Sequence, residues 1–495
     1  MRADTRLTSF LAALGAVAVG AAVQIADGYG RPAAFVWLTV AVAAVLLAVV
    51  LPSHRTLEAV LGRVLPPVLV VALVGQLWAM LQRTPARPFD AVPSWRPTFL
   101  LAAVVVVVAA CGIAMGRGLV RHLAILALLA THLALGIWTI RVQPQPWPMI
   151  DVYMFQRDSV AALLAGVNPY AITFPNPYTN GVYYGPGMVV DGRLTFGFVY
   201  PPLSVFLSVP GQWAGGDVRY AQLGAMTLAA AFMAYTRRGR LGGLAAALFL
   251  FTPRNLFVLE QSWTEPFVVL FLAATVWCAA RHPRVAPYVL GLFLAVKQYA
   301  VLALPLALLI TRPPMSLAGL RRTVVPAVAV AAVVTLPLAL REPTGFLRAV
   351  VELQFYQPFR PEALSYLGLL AGPDLQPPFG TGVAFAVAAA VTGLALWRAA
   401  RTPAGFALGV SAVFLAFFVL NKQAFANYYF FVIGALCVAV AATQQPAASR
   451  PAAEPWATGR RAEDGTTTAA PEPKPDPEPE PPDPDDSVSA ARPTP

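Results

Sequence analysis

Long apolar runs separated by short Arg-bearing turns make up most of the chain from Ser9 to Ala442. They lie at Ser9–Ala26, Ala33–Leu51, Val64–Leu81, Phe99–Met115 and Leu119–Ile140. After a long polar interval they resume at Val218–Tyr235, Leu241–Leu259, Pro266–Ala280, Tyr288–Val296, Val301–Ile310, Val324–Leu340, Val383–Trp397, Phe406–Leu420 and Phe425–Ala442. A run of about 18 or more apolar residues is long enough to cross the hydrocarbon of a bilayer as a helix. The pattern predicts an all-α polytopic membrane protein with about 12 to 14 transmembrane helices and one large external loop, Gln143–Pro202. The two short runs beside Lys297 predict a broken helix or two half-length helices. Irregular backbone at that depth has to be buried in protein or line a cavity.

Composition agrees with the pattern: 58% of residues are hydrophobic and 12% charged, a balance outside the range of soluble domains. The net charge of +11 is carried mainly by Arg in short loops. That placement fits cytoplasmic loop bias and lipid head groups. No basic stripe interleaved with aromatics is present, so nucleic acid is not an expected partner. Cys111, Cys278 and Cys437 all lie in apolar runs without CxxC spacing and read as small buried hydrophobes. The four histidines (His54, His122, His132 and His282) show no ligand spacing, and no His metal site is expected.

Arg placement orients the chain. Loops carrying Arg55 and Arg63, Arg117 and Arg121, Arg237 to Arg240, Arg281 and Arg284, Arg312 to Arg322, and Arg398 and Arg401 read as cytoplasmic. Both termini then fall in the cytoplasm of a cell whose plasma membrane the chain spans repeatedly. The loop with Arg83, Arg87 and Arg96 breaks this pattern. The scheme also requires that Tyr200–Trp213 does not cross. Three segments follow: N-terminal helices 1–118, a membrane core 119–443, and a tail 444–495. The tail sequence PEPKPDPEPEPPDPDD is too polar to bury a core and reads as disordered.

Polar groups gather at five places, each at an external end of an apolar run: Asp151–Tyr170, Phe198–Pro202, Glu260–Glu265, Lys297 with Gln298, and Asn421–Tyr428. One external site built from several helix ends accounts for all five. Ionisable groups at such positions are costly and usually functional. A carboxylate there can take a proton from a hydroxyl, which makes Asp151 the first candidate, with Asp158 and Glu265 as second carboxylates. Arg157, Lys297 and Lys422 can hold a leaving phosphate. Tyr153, Asn168, Tyr170, Tyr200, Gln261 and Gln298 suit sugar faces and hydroxyls. Each has a plainer reading. Asp151 is a good N-cap. Arg157 and Asp158 can pair on the helix surface. Asn168-Pro169-Tyr170 is a natural turn. Lys297 can pair with Glu260 or Glu265, and Lys422 can snorkel to the interface.

The ordered set Asp151-Val152-Tyr153, Leu163-Leu164-Ala165-Gly166-Val167-Asn168-Pro169-Tyr170 and Tyr200-Pro201-Pro202-Leu203 resembles the bacterial polyprenyl-phosphate-sugar-dependent glycosyltransferases of the GT-C fold. It is closest to glycosyltransferase family 87, which includes actinobacterial mannosyltransferases. Weaker echoes are Gln261–Pro266, Gly291–Lys297 and Lys422–Tyr429. The resemblance implies a GT-C-like membrane core and a lipid-borne hexose donor, mannose above all. It implies an extracytoplasmic glycolipid or glycan acceptor, and Asp151 as general base. No cofactor is required by it, and a divalent cation held by carboxylates and phosphate stays open. No nucleotide-binding motif such as GxGxxG or a P-loop follows a strand pattern. Several spans precede the signature loop, where many GT-C enzymes have one. The insert between Asn168 and Tyr200 is long and carries Tyr183, Tyr184, Asp191 and Arg193. The alternative is a glycolipid or small-solute transporter or flippase, which would show inverted repeats and broken helices in both halves.

Overall fold

The computed structural model describes residues 5–142, 150–178, 183–311, 316–371, 376–380 and 382–443. The tail from 444 and the loop segments 143–149 and 179–182 lie outside these residues. Apart from one two-stranded hairpin, the described residues form helices and loops. The first helices are α1 (Arg6–Ala26), α2 (Pro32–Val50), α3 (Arg55–Leu81), α4 (Trp95–Met115), α5 (Gly118–Arg141) and α6 (Asp151–Leu164). Then come α7 (Pro202–Gly215), α8 (Arg219–Thr236), α9 (Leu241–Leu250), α10 (Asn255–Glu260), α11 (Glu265–Arg281) and α12 (Ala286–Val296). A 3-10 segment, Gln298–Leu309, leads to α13 (Leu317–Ala339). One unbroken helical segment, α14 (Pro343–Phe346), a π-helical stretch (Leu347–Glu352) and α15 (Leu353–Tyr356), and the single turn α16 (Tyr366–Leu369) precede α17 (Gly382–Arg398), α18 (Pro403–Val419) and α19 (Ala426–Ala442).

Among the described residues, six helices are long and apolar enough to cross a membrane: α1 to α5, the third counted from Thr56, and α13. The other apolar runs give shorter helices. The run Leu241–Leu259, which reads as one span, breaks between α9 and α10. Arg254 there takes a left-handed backbone (φ 66°), and Asn255 Nδ2 donates to the Leu250 carbonyl (2.7 Å). The runs on either side of Lys297 form a hairpin. Helix α12 rises to Lys297, whose extended backbone (φ −149°, ψ 138°) ends it. The 3-10 segment then returns to Thr311, which donates to Thr323 near the start of α13. The short helices α9, α18 and α19 are almost wholly buried, so protein rather than lipid surrounds them.

Side-chain contacts sort the helix ends into two groups. At one end, Ser9 donates to Thr443 (2.8 Å), Arg237 to the Ala442 carbonyl, Arg240 to the Ala114 carbonyl and Arg281 to the Thr236 carbonyl. Glu58 accepts from the Arg6 N–H there (2.7 Å). The basic loops at Arg117, Arg237 and Arg281 therefore share an end with the start of α1 and the close of α19. A 21-residue α1 of roughly 31 Å carries the chain to the other, polar end. There Asp27 binds Arg83 and Arg254, and the Leu364 N–H meets the carbonyls of Gly28 and Ala424. The exceptional loop with Arg83 and Arg87 thus sits at the polar end, where Asp27 and Glu260 meet its guanidinium and backbone.

Helix α7 starts and finishes at the polar end. Tyr200, before it, lies against Lys297, and Asp217 and Arg219, after it, lie against Tyr153 at the start of α6. Both its ends thus lie at the same end of the bundle, the arrangement the Arg-based topology calls for. Helices α6 and α7 and the polar loop enclose a second small core of Tyr153, Phe155, Phe174, Phe196, Phe198 and Val205. Within it β1 (Val189–Val190) pairs with β2 (Arg193–Leu194) across Asp191-Gly192, both at positive φ (49° and 72°). Asp-Gly is a favoured pair for that two-residue turn. Gly197 and Gly345 close on the Tyr170 carbonyl from two sides, where a Cβ would stand 2.7 and 2.4 Å from it.

Candidate functional site

Asp151 opens α6 at its first helical position. It does not act as the N-cap; Ile150 holds that place without a side-chain bond. Asp151 Oδ1 accepts from the Val152 N–H (2.7 Å), and Oδ2 accepts from the Tyr184 hydroxyl (2.8 Å). Its own N–H points to the Tyr178 hydroxyl (3.4 Å). The residue as a whole keeps partial exposure. Burial of the carboxyl raises its pKa above the ordinary carboxylate value. The Tyr184 and Val152 hydrogen bonds, then Tyr178 and the charge of Arg360, work against that rise. Tyr178 and Tyr184 are themselves shifted upward, by burial first and by the neighbouring Asp151 charge second. Both remain neutral donors at physiological pH.

A second polar centre forms around Glu265 at the start of α11. Its Oε1 accepts from Lys297 Nζ (2.8 Å), Asn427 Nδ2 (3.0 Å) and the Tyr299 hydroxyl (3.3 Å). Lys297 also donates to Thr264 (2.6 Å) and sits over the Tyr200 ring, 4.3 Å from its centroid. Glu265 is fully buried, and its Oε2 has no hydrogen-bond partner. Gln298 donates to the Val199 carbonyl (3.3 Å), while its buried Oε1 is likewise unpartnered. Tyr200 lies between the two centres. Burial, and then the charges of Glu265 and Asp151, hold its phenol well above its usual value.

The remaining candidates are engaged elsewhere. Arg157 pairs with Asp158 (2.7 Å) on the exposed side of α6. Asn168 Oδ1 accepts from the Tyr170 N–H, and its Nδ2 donates to the Leu338 carbonyl (2.9 Å), so it builds the turn. The Tyr170 hydroxyl donates to the Tyr200 carbonyl (2.7 Å). Tyr153 packs under Arg219, itself in a buried pair with Asp217. Gln261 donates to Glu260 (3.0 Å). Lys422 donates to the carbonyls of Phe355 and Gln357. Of the three proposed phosphate cations, each thus has an internal partner, and Lys297 takes the Glu265 alternative.

Several contributors were not singled out from sequence. Tyr178 and Tyr184 return to Asp151 from the Tyr-rich insert. Arg360 stacks between the Tyr183 and Phe425 rings (4.6 and 5.1 Å) and pairs with Glu362. Gln156, one turn beyond Asp151, is fully buried; it donates to Ser262 and accepts from Ser208 (3.2 Å) and Gln222 (2.8 Å). This knot ties α6 to α7, α8 and the Ser262 turn, and so fixes where Asp151 stands. Only Tyr density in the insert hinted at Tyr184; a lone Arg in a polar loop offers no local signal. Among the described residues, no group of three or more His, Cys, Asp or Glu side chains comes together. No family model, curated protein or solved structure matches the chain.

Proposed function

We propose that the protein is an integral membrane hexosyltransferase. In this reading it moves a hexose, mannose in the first instance, from a polyprenyl-phosphate carrier to an extracytoplasmic glycolipid or glycan. The observation that carries it is the Asp151 carboxylate, made more basic by burial and held by Tyr184 at the polar end. Each carboxylate oxygen that accepts one hydrogen bond keeps a second lone pair for a substrate proton. The acceptor hydroxyl would lose its proton to Asp151 as its oxygen bonds to the anomeric carbon. The bond from that carbon to the phosphate oxygen breaks, and polyprenyl phosphate leaves as the anion. Arg360, whose charge reaches Asp151, would face the departing phosphate.

The test is transfer of radiolabelled mannose from polyprenyl-phosphomannose in membranes holding matched amounts of wild type or Asp151→Asn. Transfer by wild type alone supports the reading; equal transfer by both removes Asp151 from the mechanism. The broken hairpin at Lys297 favours the carrier alternative. Uptake of the labelled lipid into proteoliposomes without transfer would decide for it.

A further inference from the structure

At the polar end a cavity of about 710 Å³ lies between the close of α1 and the start of α2. Its lining includes Asp27, Tyr29, Arg31 and Arg83, with Ile25, Ala26, Pro32 and Ala33 supplying an apolar wall. Asp151 is not in that wall, so this is a separate place from the carboxylate centre. Two features of it call for an anion. The first is charge. Asp27 is the single acidic side chain in the lining, and two guanidiniums already claim it, Arg83 (2.6 Å) and the buried Arg254 (2.7 Å). Arg254 lies outside the lining, and among the described residues Arg31 forms no salt bridge. Within the lining Arg31 and Arg83 stand against Asp27 alone, one positive charge in excess.

The second feature is the helix beneath. Helix α2 has 19 residues, and no side chain caps its N-terminus; Arg31 occupies the cap position and Pro32 and Ala33 open the cavity floor. The positive end of the helix dipole therefore faces the cavity beside Arg31. The apolar wall is continuous with α1 and α2, which are among the membrane-length helices. A ligand with an anionic head and an apolar tail meets matching surface at both ends.

We propose that this cavity binds the phosphomonoester head of a lipid, held by Arg31 and Arg83 over the start of α2. Arg is suited to the task because its planar fork binds two phosphate oxygens at once. The cavity also communicates with the Asp151 side. The Tyr29 ring lies 5.5 Å from that of Phe425, on which Arg360 stacks, and the Gly30 N–H donates to the Glu362 carbonyl (2.8 Å). Arg31 thus stands one short loop away from the strap that carries Arg360. The inference concerns binding alone and does not depend on the transfer reaction.

The experiment is a thermal-shift titration of the detergent-purified full chain with geranyl phosphate, inorganic phosphate and geraniol. Geranyl phosphate should raise the unfolding midpoint saturably, and geraniol should not. A matching rise with inorganic phosphate would assign the site to free phosphate; a much weaker one assigns it to lipid. Arg31→Gln should weaken geranyl phosphate binding roughly tenfold or more, as loss of a charge-assisted contact requires. Arg83→Gln should do the same, but it also breaks the Asp27 pair, so Arg31→Gln carries the decision because it disturbs no ion pair. Asp151→Asn should bind normally. Unchanged affinity in Arg31→Gln, or equal shifts from geraniol and geranyl phosphate, would overturn the proposal.

Discussion

Replacing Lys297 by Met removes the cation from a centre in which Glu265 is fully buried. Asn427 and the Tyr299 hydroxyl would still reach Glu265 Oε1, but neither carries a charge. Stranding one partner of a buried ion pair costs about 3–5 kcal/mol, because the remaining charge keeps its desolvation penalty and loses its compensation. Glu265→Gln strands Lys297 in the same way, leaving it Thr264 and the faces of Tyr200 and Tyr299. The double variant buries no net charge, so its loss should fall short of the sum of the two singles by about 2 kcal/mol. That gap is within the range measured for contacting pairs. The assay is reversible unfolding by SDS titration in mixed micelles, with the four proteins of the cycle measured side by side. Singles that add to within about 0.5 kcal/mol would refute the pairing. So would a Lys297→Met protein of wild-type stability that fails to bind a lipid phosphate, since Lys297 would then serve the ligand and not Glu265.

Asp151→Asn should abolish transfer while leaving the protein folded. Burial raises the Asp151 pKa, so its ionisation weakens the fold: the stability it contributes is complete below the ordinary value of 3.8 and is lost as pH rises through the raised one. The Asn variant should accordingly melt no lower than wild type at neutral pH. Tyr184→Phe removes a hydrogen bond to a charged acceptor, typically worth about 1.5–3 kcal/mol, so transfer should fall roughly tenfold to a hundredfold. It also removes a group that favours the ionised base, and activity is lost as pH falls through the pKa of that base. The acid limb of the pH–rate profile should therefore move to higher pH, and an unmoved limb would separate Tyr184 from the base. Gln156→Leu leaves the Gln222 amide and Ser208 without their shared acceptor. A loss of about 1–3 kcal/mol is expected in the same SDS titration, with transfer lowered through misplacement of Asp151.

Much of the helical frame was readable because lipid imposes a simple rule on sequence, long apolar runs with charge confined to the ends. The break at Lys297 was readable for the same reason, since one cation interrupts an otherwise apolar stretch. The break at Arg254 was not: Leu241–Leu259 is apolar enough to read as one span, and what settles the turn that divides it is a contact with Asp27, distant in sequence but at the same polar end. At the candidate site, Asp151 was visible from its place after a helix and before another. Tyr184 and Arg360 were not, because a loop's return to a carboxylate is decided by the small core of Phe155, Phe174 and Phe196 beneath it. Arg157 and Lys422 looked available because sequence shows a charge without its partner. The structure supplies Asp158 for one and a pair of carbonyls for the other.

The bond between Ser9 and Thr443 joins residues 434 positions apart. Chains emerge from the ribosome N-terminus first, so α1 enters the bilayer long before the helix it finally leans on has been made. Until α19 arrives, the flank of α1 that ends up buried has only lipid or an insertion factor to cover it. Of the described helices, the last synthesised is then the one that locks the first. Assembly of this bundle waits on α19, and a ribosome that stops before it releases a bundle with an open seam.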